Sequence, residues 1–183
     1  MEAVRAARPG KRLTLWCQDE ARVGQKGRAC HRRFTRGQRP PGSCDRRYTR
    51  AHLFAAVRPG TGQGFALVPP EATTGTMQAF LDRFAATLAA DEHAVMLLDQ
   101  AGWHGAHDLS VPGNVTLVPL PPYAPQLNPV ERVWLYLRER HLSHRLLDGY
   151  EAVVDACCAA WNRLTPERLR SLTSYPYLQQ VSG

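Results

Sequence analysis

An α/β fold, a mixed β-sheet flanked by helices, is predicted by three features of the sequence. Two short apolar runs, LTLWCQD (13–19) and AVMLLD (94–99), have the length and bounding of strands, and each ends on an acid. Residues 76–89 switch to helical spacing. The remaining elements follow in the order β, ββ, α, β, (α), β, α, α, which mixes adjacent strands with strands joined across helices. A chain of 183 residues suits one domain with a substantial core better than two.

Taken in order, residues 1–12 form an N-terminal extension and 13–178 the domain. In 13–19 the side chains of Leu13, Leu15, Cys17 and Asp19 share one strand face by the two-residue period. The stretch after it is rich in Gly and Pro (Gly24, Gly27, Gly37, Pro40, Pro41, Gly42) and reads as loops with one short hairpin. Strands are expected at 52–58 and 63–68, joined by the PGTG turn. In 76–89, Met77, Phe80, Leu81, Phe84 and Leu88 make one apolar stripe, with Thr74 or Thr76 as the N-cap. The continuous run 94–99 reads as a buried parallel strand, with a helix starting near Ala101. Residues 115–120 form another strand that enters the rigid PPYAP segment.

Three helix starts follow. Asn128-Pro129-Val130-Glu131 offers an N-cap, an N1 proline and an N3 acid ahead of Val133, Trp134 and Leu137. Asp148 and Glu151 repeat the capping-box spacing before Val153, Val154, Cys157 and Trp161, and Thr165-Pro166 opens a last short helix. There is no internal repeat and no low-complexity segment.

Charge is concentrated. Between Arg22 and Arg50 lie nine Arg and one Lys against a single acid, Asp45, whereas the rest of the chain carries 13 basic and 15 acidic residues. One segment thus holds the whole basic excess behind the net charge of +7. This is the footprint of a phosphate-binding surface, with Arg22, Lys26, Arg28, Arg32, Arg33, Arg36, Arg46 and Arg47 as candidate DNA contacts. The alternative is a solvated loop in a chain that uses Arg in place of Lys.

Five cysteines without a C-x-x-C pair lack the paired spacing of a zinc site; Cys30-His31 near Cys44 is the nearest approach, and free thiols in a reducing compartment are expected. The opening residues hold no apolar run of a signal peptide, and the longest aliphatic stretch, Ala94 to Leu98, is too short to span a bilayer. A soluble, intracellular protein with no membrane partner is expected.

Asp19 and Asp99 close apolar strands and Glu131 sits in the first turn of a helix, the places where sites gather in such sheets. Three carboxylates suffice to hold two Mg²⁺ or Mn²⁺ ions roughly 4 Å apart for phosphodiester chemistry. Such cations would also explain how three acids tolerate one another. Each acid has a plainer reading. Asp19 can be a strand-end turn residue with Glu20 pointing the other way, Asp99 a cap for the helix at Ala101, and Glu131 the capping-box partner of Asn128.

The segments QDEAR (18–22), LLDQAGWH (97–104) and LPPYAPQLNPVERVW (120–134) together resemble the three signature blocks of the mariner-superfamily DDE transposases, in their bacterial insertion-sequence branch. The third block is the most specific, and the resemblance runs from about Leu13 to Tyr177. By position, the family's two aspartates fall on Asp19 and Asp99 and its glutamate on Glu131, with 31 residues between the last two. The resemblance implies a ribonuclease-H-like fold, metal-dependent cleavage at transposon ends, and transfer of the freed 3′-hydroxyl into target DNA. It implies double-stranded DNA as partner, a dimer on DNA, a cytoplasmic, nucleoid-associated location, and supporting roles for His104 and Asn128. His104 can equally be a surface histidine.

Members of that family carry an N-terminal helix-turn-helix region that is not found in these residues. A separately encoded DNA-reading half or a truncated copy is therefore expected. The competing functions are a ribonuclease-H-type nuclease and a catalytically idle, DNA-binding remnant.

Overall fold

The computed structural model describes residues 1–25, 33–38, 47–102, 108–143 and 145–181. Five strands form one sheet: β1 (Arg12–Gly24), β2 (Arg50–Arg58), β3 (Gln63–Leu67), β4 (Glu92–Leu98) and β5 (Val115–Pro119), in the order β3-β2-β1-β4-β5. β2 runs antiparallel to β1 and β3, whereas β4 is parallel to β1 and β5, so the sheet is mixed as expected.

Helices cover both faces. α2 (Thr74–Ala85) crosses from β3 to β4 and buries Met77, Phe80, Leu81 and Phe84 against Trp16, Phe54, Ala56, Met96 and Leu98. Phe80 and Phe84 stack on each other and Trp16 meets Phe84 edge-on, so aromatic packing dominates this layer. On the opposite face lies α3 (Val130–Leu137), whose Val130, Val133, Trp134 and Leu137 recur at helical spacing. They pack on Leu15, Cys17, Leu53, Ala55, Val57 and Val95. α5 (Pro166–Leu172) adds Leu169 and α6 (Pro176–Val181) adds Leu178 to the same core. α4 (Gly149–Trp161) sets Val153, Ala156 and Cys157 against Ala51 and Leu147. Alternation along β1 feeds both layers, which is why all its residues from Thr14 to Asp19 are buried.

Several expectations are corrected. The extension contains a short helix, α1 (Glu2–Ala7), and β1 already starts at Arg12. β1 also runs on to Gly24, pairing Arg22, Val23 and Gly24 with His52, Ala51 and Arg50, so the basic segment begins as strand and not loop. The N-cap of α2 is Thr73, which forms a reciprocal capping box with Thr76. Asp148 makes no side-chain cap; its carboxylate is taken by Arg47 at 2.7 Å. Thr165 caps α5 through the Arg168 N–H, but α6 follows, so α5 is not the last helix.

The stem of the basic segment is well secured. Gln25, nearly fully buried, exchanges backbone and side-chain bonds with Thr49 and donates from Nε2 to the Leu147 carbonyl at 2.8 Å. Arg47 reaches that carbonyl too, at 2.9 Å. The ends of the 26–46 segment are thereby held beside the start of α4.

Among the described residues Cys17, Cys157 and Cys158 are free thiols; Cys30, His31 and Cys44 lie outside them. No described helix is long and apolar enough to cross a membrane.

Candidate active site

The parallel pairing of β1 with β4 brings two of the three acids to one end of the sheet. Cys17 pairs with Leu97, and two residues further along each strand stand Asp19 and Asp99. Asp19 is buried, 7% exposed, whereas Asp99 stands exposed just past the end of β4. Glu131 comes from the first turn of α3, on the same face as Asp19, and is also exposed. Of the three candidate acids, one is thus buried and two are exposed.

What holds Asp19 is Trp134. Its indole N–H donates to Asp19 Oδ2 at 2.8 Å in a buried contact. A buried Trp needs an acceptor for its one polar atom, and one helical turn from Glu131 it finds the strand-end carboxylate. Asn128 makes the second tie between β1 and α3. Its Nδ2 donates to the Gln18 carbonyl at 2.8 Å and its Oδ1 accepts from the Val130 N–H at 3.2 Å. Asn128 is 3% exposed. It locks the head of the helix bearing Glu131 to the residue before Asp19.

These contacts bear on two of the plainer readings. The Asn128 N–H donates to the Pro125 carbonyl at 2.9 Å, and α3 starts at Val130 with no side-chain cap bond, so Glu131 closes no capping box. Asp99 does accept from the Ala101 N–H at 3.0 Å through Oδ1, a local turn. The helix expected beyond it, and His104 with it, lie outside the described residues.

The acids sense one another. Burial, then Glu131, then Glu20 and, more weakly, Asp99 push the Asp19 carboxyl up to about 8, against the lowering effect of the Trp134 hydrogen bond. Glu20, expected to point away, belongs to the same electrostatic cluster: burial and the neighbouring Asp99 push it up to about 7. The donor set is all oxygen, which suits hard divalent cations. Among the described residues no three His, Cys, Asp or Glu are grouped so as to hold a metal ion.

Trp134 closes the third signature block, but its bond to Asp19 is not readable from the sequence, and neither is the electrostatic coupling of Glu20 to Asp19.

Of the basic candidates, Arg22 is exposed on β1 opposite His52, whose imidazole is held below its ordinary pKa by burial and then by Arg50 and Arg22. Arg33 and Arg36 are exposed, and Arg47 is occupied by Asp148. Lys26, Arg28, Arg32 and Arg46 lie outside the described residues.

Residues 14–153 match the DDE superfamily endonuclease family. A Sinorhizobium fredii protein named y4pE/y4sA, itself described as uncharacterized, is 46% identical over 117 residues, covering 64% of this chain and 87% of its own. Among solved structures, the Mos1 mariner paired-end complex with Mn aligns with a TM-score of 0.67 at 17% identity, over 93% of this chain and 54% of that one. The catalytic domain of Mos1 mariner transposase gives 0.52 at 17% identity, covering 88% and 83%. The catalytic core domain of BIV integrase gives 0.51 at 18%, covering 86% and 93%. The chain spans about half the length of the Mos1 transposase chains in the strand-transfer and paired-end complexes. The shared fold is the ribonuclease-H-like mixed sheet of transposase and integrase catalytic domains.

Proposed function

The chain belongs to the DDE superfamily endonucleases, and on that premise we propose that it is the catalytic domain of a mariner-like DNA transposase. In this reading it cleaves DNA at transposon ends and joins the freed 3′-hydroxyl to target DNA. The single observation that carries it is the grouping of acids about Asp19: Trp134 holds its carboxylate, and Glu131, Glu20 and Asp99 all act on it electrostatically.

Asp19, Asp99 and Glu131 would hold two Mg²⁺ or Mn²⁺ ions, in keeping with the Mos1 complexes described with Mn and with Mg. Bound there, such ions activate the attacking oxygen and stabilise the leaving oxygen of a phosphodiester. The rest is positioning by the protein. Trp134 orients one carboxylate oxygen of Asp19, and Asn128 ties the head of α3, which carries Glu131, to the Gln18 carbonyl beside Asp19. The exposed Arg22, Arg33 and Arg36, together with Lys26, Arg28, Arg32 and Arg46, supply phosphate contacts that hold DNA without reading bases. Sequence-specific end recognition would come from a separate helix-turn-helix partner, and synapsis of two ends from a dimer on DNA. His104 is kept as a supporting residue of the same site.

The test is a strand-transfer assay with the chain joined to a helix-turn-helix region and supplied with a pre-cleaved transposon end, Mg²⁺ and a plasmid target. Joined products that vanish in Asp99→Asn support the reading. Hydrolysis without joining marks a ribonuclease-H-type nuclease, and neither activity marks an idle remnant.

A further inference from the structure

The loop from β5 to α3 is anchored at both ends beside the acids. At its start the Leu120 N–H donates to the Leu98 carbonyl at 2.7 Å, and the Leu120 carbonyl accepts from Gln100 Nε2 at 2.9 Å. Leu98 and Gln100 flank Asp99. At its end Asn128 binds the Gln18 carbonyl beside Asp19. The span between the anchors is stiff: Pro121, Pro122 and Pro125 fix their own backbone angles, and a short 3₁₀ turn, Pro125–Leu127, accepts a hydrogen bond from Tyr177 Oη at the Leu127 carbonyl. The loop thus bridges the rim of the site as a rigid arch.

Tyr123 stands in this arch. Its relative exposure is 102%, while Trp16, Phe54, Phe80 and Phe84 are buried. Among the described residues it is also the one non-glycine with positive φ, at 57°. A turn selected for shape alone would place Gly or Asn there, since they reach that conformation at less cost. An aromatic ring held wholly in solvent on a disfavoured backbone points to a ring that is used. Two residues further along the loop, Pro125 and Gln126 line a shallow open groove together with Glu131, Arg132, Leu135 and Tyr175.

We propose that Tyr123 is a stacking platform for an unpaired nucleobase of the DNA strand whose phosphate lies at the acids. The inference rests on the transposase reading above. A phosphodiester gripped at the sheet end leaves its neighbouring base to be placed, and a base without a partner at a strand end has a free face to stack on an exposed ring. A phenol ring accepts any base by its π-face, which suits an enzyme that must act on varied target sequence.

The full chain, at low salt with Ca²⁺ present, is mixed with a duplex bearing a short 3′ overhang that contains 2-aminopurine, and with the blunt duplex as reference. The parent is expected to bind the overhang more tightly than the blunt duplex and to alter the 2-aminopurine fluorescence. Tyr123→Phe keeps both effects. Tyr123→Gly, which relieves the positive φ, loses the fluorescence change and about fivefold or more of the overhang affinity. Its blunt-duplex affinity holds and its melting temperature does not fall. If Tyr123→Gly keeps the overhang preference, or the parent binds DNA without any, the platform is overturned while the transposase reading stands. If the parent binds neither probe, both are overturned.

Discussion

Trp134 and Asp19 are joined by a buried hydrogen bond of 2.8 Å that links the helix of one acid to the strand of another. Because Glu131 lies one turn before Trp134 on α3, this bond sets the separation of the two acids as well as the orientation of Asp19. Trp134→Phe keeps an aromatic ring in the core and removes only the donor, with some loss of ring volume. Stability is expected to fall by about 1 kcal/mol or somewhat more. The same hydrogen bond lowers the Asp19 pKa, so its loss raises it further, and more Mn²⁺ should be needed for half-maximal thermal stabilisation at neutral pH. Thermal melts across a Mn²⁺ titration measure both effects; an unchanged Mn²⁺ midpoint would show that Trp134 only packs.

Stability without divalent cations should fall as pH rises. Asp19 and Glu20 have folded-state pKa values raised to about 8 and about 7, from ordinary values of 3.8 and 4.5. Between those limits the folded state binds more protons than the unfolded state, so raising the pH favours unfolding. The stabilising protonated state is fully present below about pH 4 for these two groups and is lost through pH 7 to 8. Urea midpoints at pH 5 and pH 8 in EDTA should therefore differ, with Asp19→Asn shrinking the difference. A metal-free protein whose midpoint is equal at the two pH values, or higher at pH 8, would contradict the burial and coupling of these acids.

Glu131→Gln should leave metal-free stability within about 0.5 kcal/mol of the parent, because an exposed side chain that closes no capping box has little to lose. Metal-dependent cleavage should vanish, since Gln keeps the size and lacks the charge. Asn128→Ala is the contrasting case: it strips the buried Gln18 carbonyl of its partner and loosens the head of α3, at a cost of about 1–3 kcal/mol. Urea denaturation and end-cleavage assays on the two variants should separate a ligand from a positioning residue.

Arg33 and Arg36 are exposed, whereas Arg47 is held by Asp148 and the Leu147 carbonyl. Replacing Arg33 and Arg36 together by Gln should flatten the slope of log affinity against log salt by about 2 if both meet phosphates. Arg47→Gln should act chiefly by loosening the stem of the basic segment beside α4. DNA binding measured across a salt series reads the first effect, and hydrogen exchange at Gln25 and Thr49 reads the second.

What was legible in the sequence was whatever depends on local period and composition. β1 and β4 announced themselves as apolar runs closed by an acid, although β1 runs on past Asp19 to Gly24, and α3 by its Val133–Trp134–Leu137 stripe, although it starts at Val130 and not at Pro129. Elements decided by distant partners were not. The last turns of β1 exist because Arg22 to Gly24 find His52 to Arg50 across the sheet, a pairing invisible in their own polar and glycine-containing sequence. α6 is short, and Leu178 is the one fully buried side chain among its described ones. Asp148 looked like a cap because the competing Arg47 is a hundred residues away in the chain. The acids could be named from their positions, but Glu20 joined them only through burial at the sheet end, which strand alternation argued against.

The most direct test of the site is Mn²⁺ stoichiometry by electron paramagnetic resonance, titrating the ion into the full chain at pH 8 and counting what is bound. Two ions per chain are expected in the parent, with Asp19→Asn and Asp99→Asn each losing at least one while remaining folded. A parent that binds no Mn²⁺ at millimolar concentration, or variants that bind as much as the parent, would contradict a cation site built on Asp19, Asp99 and Glu131.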